Sequence, residues 1–317
     1  MEQNFWSKLQ AVDRRILYAI LIVAVVCGLY IKVDVPAKAA DSSVMFYKSF
    51  QELDLDKPVL LQSDWTNSTR GESQGHLEAI LKMLAYRRQK FVLFSLADPQ
   101  APQVARNVLR FVNLTLPEDK KLVLGRDYID LGFFPNAEGT TQGMAVNLRS
   151  TWQGRKTKTP DGQEIDIFRT DVLKNVRRIE DVAAVVYITA SATVDVGIQR
   201  LGGKVKLLCM CTGVVGPTLL PYFSSGQLSG VAIGLKGVYD IEMMMYYGIN
   251  KRQADGKDPR VASTNVQGVI EPIEGYQHVG RGKTYYAALN VVLALLIVAI
   301  VVGNVAMFAS GQNKRKV

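Results

Sequence analysis

Histidine and cysteine are scarce in this 317-residue chain: the histidines are His76 and His278, and the cysteines Cys27, Cys209 and Cys211. A Ser-His-Asp triad would need one of those two histidines, and neither is expected to neighbour a Gly-x-Ser-x-Gly turn. Cys-x-x-Cys and His-Glu-x-x-His spacings are missing, so neither a metal site of that kind nor a cofactor is expected. Acidic residues stop at Glu274, whereas the tail carries Lys314, Arg315 and Lys316. Much of the net charge of +9 lies in the terminal flanks, which leaves little on the middle of the chain to attract a polyanion. Of 38 basic and 29 acidic residues, seven and two lie in the terminal flanks, which leaves 31 against 27 in the middle of the chain. That small excess gives no reason to invoke nucleic acid.

Two uncharged apolar runs, 16–31 and 284–313, stand at either end. The second exceeds the roughly 20 residues needed to cross a bilayer core. The first is shorter, but Arg14, Arg15 and Lys32 can snorkel to the headgroups and extend its reach. The layout predicted is a cytoplasmic tail (1–15), a transmembrane helix or signal anchor (16–32), a linker (33–57), an exported domain (58–248), a stalk (249–283), a transmembrane helix (284–310) and a basic cytoplasmic tail (311–317). Basic residues beside both runs place both termini inside, with the domain on the extracytoplasmic side of a bacterial cytoplasmic membrane. A rival reading makes the front a secretory signal cleaved near Ala37-Lys38-Ala39. In either case the lipid bilayer is a partner.

Within the domain, short β-type runs alternate with helical periodicity. Residues 59–64, 91–96, 127–131, 182–188, 205–211 and 228–233 read as strands. Helices are predicted through Leu77–Leu84, Val104–Val112, Met144–Trp152, Val194–Leu201, Pro217 onward and Val238–Met245, with a further short one suggested by Val172, Val176 and Ile179. Several strands are continuously apolar, which argues burial on both faces of a mainly parallel sheet. The predicted fold is a three-layer, Rossmann-like α/β domain flanked by two transmembrane helices. Cys209 and Cys211 lie two apart on one strand, a poor geometry for a disulfide, and read as small buried hydrophobes.

The stretch Pro221-Tyr222-Phe223-Ser224-Ser225-Gly226-Gln227-Leu228-Ser229-Gly230, followed by Gly234-Leu235-Lys236-Gly237 and the acids Asp240 and Glu242, resembles a segment of membrane-anchored bacterial α/β proteins of uncharacterised function. The resemblance implies that topology and no activity.

In open α/β sheets ligands bind beyond the carboxyl ends of the strands. Those ends bring forward Asp64, Trp65, Asp98, Thr189, Ser191, Thr212 and Gly213, a polar crescent with two carboxylates. It reads either as a pocket for a small polar ligand or as caps for the helices that follow. Arg70, in the hydroxyl-rich loop 66–73, offers a guanidinium to an anion at a helix N-terminus, although the loop has neither a dinucleotide fingerprint nor a phosphate-loop pattern. In the last span Asn290 and Asn304 lie on nearly one face, with Gly303 beside them, and amides in an apolar helix commonly find partners across helices. Assembly with other membrane subunits or a second copy is therefore expected. The leading expectation is a non-catalytic binding or scaffold domain. Its rivals are a membrane-tethered envelope enzyme using Asp64 and Asp98, and a solute-binding domain serving a transporter.

Overall fold

A computed structural model describes residues 13–30, 38–191, 193–249, 270–276 and 280–314. It divides into two compact units, Pro36–Gly282 and the two ends of the chain, Met1–Val35 with Lys283–Val317.

The larger unit is built on six parallel strands: β1 (Val59–Asp64), β2 (Phe91–Ser95), β3 (Tyr128–Phe133), β6 (Ala184–Thr189), β7 (Leu207–Cys211) and β8 (Gly230–Ile233). Their spatial order is β3-β2-β1-β6-β7-β8. The chain fills one half outward from β1 and then crosses to β6 to fill the other, so the order reverses between β1 and β6. In register, Val59 faces Phe91 on one side and Ala184 on the other, and Asp64 lies level with Thr189. Between β3 and β6 the chain makes a small antiparallel pair, β4 (Lys156–Lys158) with β5 (Glu164–Asp166).

Side-chain alternation explains the uninterrupted apolar strands. Leu61, Leu93, Val186 and Met210 point to one layer, which holds α2 (Asp41–Gln51), α3 (Arg70–Arg87), α4 (Ala101–Thr115) and α8 (Gly234–Tyr247). Leu60, Val92, Val185, Tyr187 and Cys209 point to the other, covered by α5 (Ala137–Thr151), α6 (Val194–Leu201) and α7 (Gly216–Ser224). Each fully buried Leu, Val or Phe contributes about 1.5–3 kcal/mol relative to exposure, so both faces favour the same register. Gly234 has φ +59°, which lets β8 turn directly into α8 without a connecting loop.

Three sequence expectations need correction. The segment 33–57 is not merely a linker, because it contains α2, whose Val44, Phe46, Tyr47 and Phe50 are fully buried. Ser42, Ser43 and Ser49 are buried as well and blur the apolar period. The helix suggested by Val172, Val176 and Ile179 is instead a series of turns ending in a 3-10 turn, Ile179–Asp181. Asp181 there accepts the backbone N–H groups of Arg177 and Arg178, a local closure that stands in for helical bonding. Within the expected stalk, Ile249 and 270–276 belong to the domain: Ile270 bridges Ile249, and Tyr276 is buried. The rest of that stretch up to Val279 lies outside the described residues.

The smaller unit holds α1 (Arg14–Tyr30) and most of α9 (Arg281–Lys314). Among the described residues, α9 is the one helix long and apolar enough to cross a membrane, with a mean hydropathy of 2.9 in its most apolar window. The 17 residues of α1 span about 25 Å at 1.5 Å each, short of a ~30 Å core, and Lys32 lies outside the described residues. Within this unit the close approach is at Gly28, where an added Cβ would stand 2.9 Å from Ala288 Cα and 3.5 Å from Val291 Cβ. Gly303, expected to provide such an approach, has open space where a Cβ would be. The Asn290 amide donates to the carbonyl of Tyr286 in its own helix at 2.7 Å, and Asn304 is exposed.

Candidate functional site

The carboxyl ends of β1, β6 and β7 meet at the point where strand order reverses, and the residues placed there satisfy one another. Asp64 closes β1 and is 3% exposed. Its Oδ1 accepts from Ser95 Oγ and Leu96 N, both at 2.8 Å, and from Ala97 N at 3.2 Å. Its Oδ2 accepts from Gln62 Nε2 and, at 3.5 Å, from Thr193 Oγ1. A carboxylate with this many donors is a fixed acceptor that ties the loop after β2 to β1 and to the turn entering α6.

Neighbouring positions are similarly occupied. Thr189 Oγ1 donates to the Ser191 carbonyl at 2.9 Å and accepts from Ser191 N at 3.0 Å. Thr212 is buried, its N–H bonds Thr189 O, and its carbonyl accepts from Val215 and Gly216 as α7 begins. Trp65 is 2% exposed and forms core, with no partner for its Nε1 among the described residues. Asp98 Oδ1 accepts from Gln100 N at 2.7 Å, an Asx turn that leads the chain into α4.

The structure therefore brings Asp64, Ser191 and Thr212 to adjacent strand ends. Asp98 sits on the loop whose Leu96 and Ala97 amides Asp64 holds. Arg70 is set apart: its Nε donates to Gln74 Oε1 at 2.7 Å, Gln74 Nε2 donates to Glu78 Oε1 at 2.7 Å, and Glu78 pairs with Arg281 at 2.9 Å. This ladder runs along α3.

Glu72 is the residue that sequence reasoning missed. From the first turn of α3 its carboxylate accepts the Gly213 N–H at 2.7 Å and links α3 to the loop after β7. The same stretch corrects the expectation that neither histidine neighbours a Gly-x-Ser-x-Gly pattern, because Gly71-Glu72-Ser73-Gln74-Gly75 spells it and His76 follows directly. The pattern needs a strand-to-helix turn that exposes the serine. Here it lies inside α3, with Ser73 fully buried and its Oγ 3.4 Å from Thr69 Oγ1. His76 is also fully buried, and its Nε2 donates to the Gly234 carbonyl at 3.0 Å. Burial lowers its pKa from 6.5 to about 4, so the ring is neutral near pH 7.

Among the described residues, no group of three or more His, Cys, Asp or Glu side chains is placed to hold a metal ion. Cys209 and Cys211 are buried free thiols, and burial pushes the Cys209 thiol well above its ordinary range. Neither is poised as a nucleophile. Comparison with protein families, with curated proteins and with solved structures finds no match for this chain.

Proposed function

We propose that the protein is a non-catalytic binding or scaffold subunit of a membrane assembly. Its α/β domain is held on the extracytoplasmic side of a bacterial cytoplasmic membrane by its apolar helices, with both termini inside. The observation that carries this reading is the state of Asp64. All of its acceptor capacity at the strand-order reversal goes to the protein's own donors, where a binding site would leave groups for a ligand. The envelope-enzyme alternative needs Asp64 and Asp98 as acid and base, but the first is buried and saturated and the second is bound to its own turn.

Full-length protein extracted in mild detergent and sized by light scattering, with protein and detergent mass separated, tests the assembly. The expected result is a particle with more than one 35.0 kDa copy or with other chains in fixed ratio. A bare monomer in both detergent and nanodiscs overturns it. Protease added outside right-side-out vesicles should digest the 33–283 region and spare both tails; a domain that survives until lysis inverts the orientation.

A further inference from the structure

A concavity of about 510 Å³ opens between the last turn of α5 and the 3-10 turn Ile167–Arg169 that follows β5. Local bonds set both of its walls. Asn147 leaves helical geometry inside α5 (φ −156°, ψ 96°), and its Oδ1 accepts from Ser150 N at 2.9 Å, so the final turn is capped as a unit of its own. In that turn the Arg149 N–H donates to the Arg177 carbonyl at 3.1 Å and pins it to the segment before β6. On the opposite wall Asp166 Oδ1 accepts from Phe168 N at 2.8 Å and closes the 3-10 turn.

The cations of this concavity are not spent on the protein's own acids. Arg149 and Arg169 both line it, both are exposed, and neither has an ion pair among the described residues. The Arg149 guanidinium lies over the ring of Phe168, 4.7 Å from its centre, and Phe168 is only 7% exposed. Stacking on a buried ring uses the face of a guanidinium and leaves its N–H fork available, so less conformational freedom is lost when an anion binds. Asp166 is the one acid in the lining, and with Oδ1 taken by Phe168 N it has Oδ2 left to accept. The Gln153 amide and the Ser150 hydroxyl add neutral donors to the lining.

We propose that this concavity binds a phosphate monoester of a small hydroxylated molecule, with Arg149 and Arg169 donating to the phosphate oxygens and Asp166 Oδ2 accepting from a ligand hydroxyl. Two guanidinium cations match the roughly −2 charge of a phosphomonoester, and the planar fork of arginine suits its oxygens. A single carboxylate would leave one guanidinium uncompensated. Asp166 repels a bare anion and rewards a ligand that also carries a donor, which separates the ester from inorganic phosphate. The volume lies within the range of about 300–1,000 Å³ usual for small-molecule sites. The proposal goes beyond the assembly reading and rests on the fold of the α/β domain alone.

The test is isothermal titration calorimetry of the full-length protein in phosphate-free, low-salt detergent buffer, with glycerol 3-phosphate as the probe. One site per chain is expected, with tighter binding than that of inorganic phosphate or succinate. Arg149→Gln and Arg169→Gln should each weaken it about tenfold or more, the effect of losing one charge-assisted contact. Both side chains are exposed, so both variants should melt close to wild type. Arg149→Lys should fall between, since it keeps the charge but not the fork. Arg88→Gln removes the same charge outside the concavity and should leave affinity unchanged. Absence of saturable binding at millimolar glycerol 3-phosphate, or equal weakening in Arg88→Gln, overturns the proposal. Inorganic phosphate that binds as tightly as the ester overturns it in favour of a simple anion site, and tighter succinate in favour of a dicarboxylate. Repeating the titration in nanodiscs that contain phosphatidic acid distinguishes the sources of the ester: lost binding assigns the site to a lipid phosphomonoester, and unchanged binding assigns it to a soluble one.

Discussion

Replacing Asp64 by alanine separates a structural carboxylate from a ligand-binding one. The side chain accepts two bonds at 2.8 Å, from Ser95 Oγ and Leu96 N, with Ala97 N at 3.2 Å and Gln62 Nε2 in addition. Ser95, Leu96 and Gln62 are themselves buried, so water cannot replace the lost acceptor without opening the strand ends. Bonds to a charged acceptor are worth about 1.5–3 kcal/mol each, and an orphaned buried donor costs about 1–3 kcal/mol. Allowing for partial relaxation, Asp64→Ala should destabilise the domain by about 3–5 kcal/mol, within the range found when one partner of a buried charged network is removed. For a domain of this size that is a fall in melting temperature of roughly 6–20 °C. Asp64→Asn keeps one acceptor oxygen for the loop amides and should lose about half as much. Differential scanning fluorimetry of the full-length protein in detergent gives the comparison. A melting temperature within 2 °C of wild type for Asp64→Ala would refute the structural role and return Asp64 to the candidate ligand site.

Three further outcomes follow from other parts of the molecule. The fall of the His76 pKa from 6.5 to about 4 means that the unfolded chain takes up the proton first, so His76 contributes about 3 kcal/mol that is present above pH 6.5 and lost as pH drops toward 4; His76→Gln should flatten the wild-type loss of melting temperature over that window, and an unchanged slope would contradict it. Gly28→Val should lower the melting temperature of the full-length protein in detergent, because even its Cβ would stand 2.9 Å from Ala288 Cα, a backbone atom that cannot swing aside; an unchanged melting temperature would mean that α1 and α9 do not pair there. Asn290 spends its amide on Tyr286 within its own helix, so Asn290→Leu should leave particle size in detergent unchanged, whereas Asn304→Leu should shrink it; the reverse pattern would move the assembly stripe to Asn290.

The sheet was legible in the chain because each strand carries its own evidence. Runs such as Val185-Val186-Tyr187-Ile188 admit no amphipathic alternative, and the helices between them hold the period of a covering layer. α2 escaped because its buried serines dilute a pattern that Val44, Tyr47 and Phe50 carry almost alone. The strand-end residues were nameable for the same local reason: Asp64 follows a strand, and Thr212 precedes a helix. What they bond to depends on pairings across the sheet, Asp64 with Leu96 across 32 positions and Glu72 with Gly213 across 141, and no local pattern encodes those. Arg70 was nameable from a hydroxyl-rich loop before a helix, but the bond from its Nε to Gln74 Oε1 one turn on was not.

The reversal of strand order leaves a crevice only if the loops on either side have nothing to offer each other. In this chain they do. The loop after β2 sends two amides to Asp64, the turn entering α6 sends Thr193 to the same carboxylate, and α3 sends Glu72 to the loop after β7. The Thr193 and Glu72 links join elements on opposite sides of the reversal, whereas the two amide bonds brace neighbouring strands on one side of it. Loosening one link by mutation would therefore create an opening as well as weaken the fold. A ligand that bound only to such a variant would be evidence for closure in the native chain, not for a native site. That consequence separates the scaffold reading proposed above from the enzyme reading, which requires the native chain to admit its substrate without any mutation.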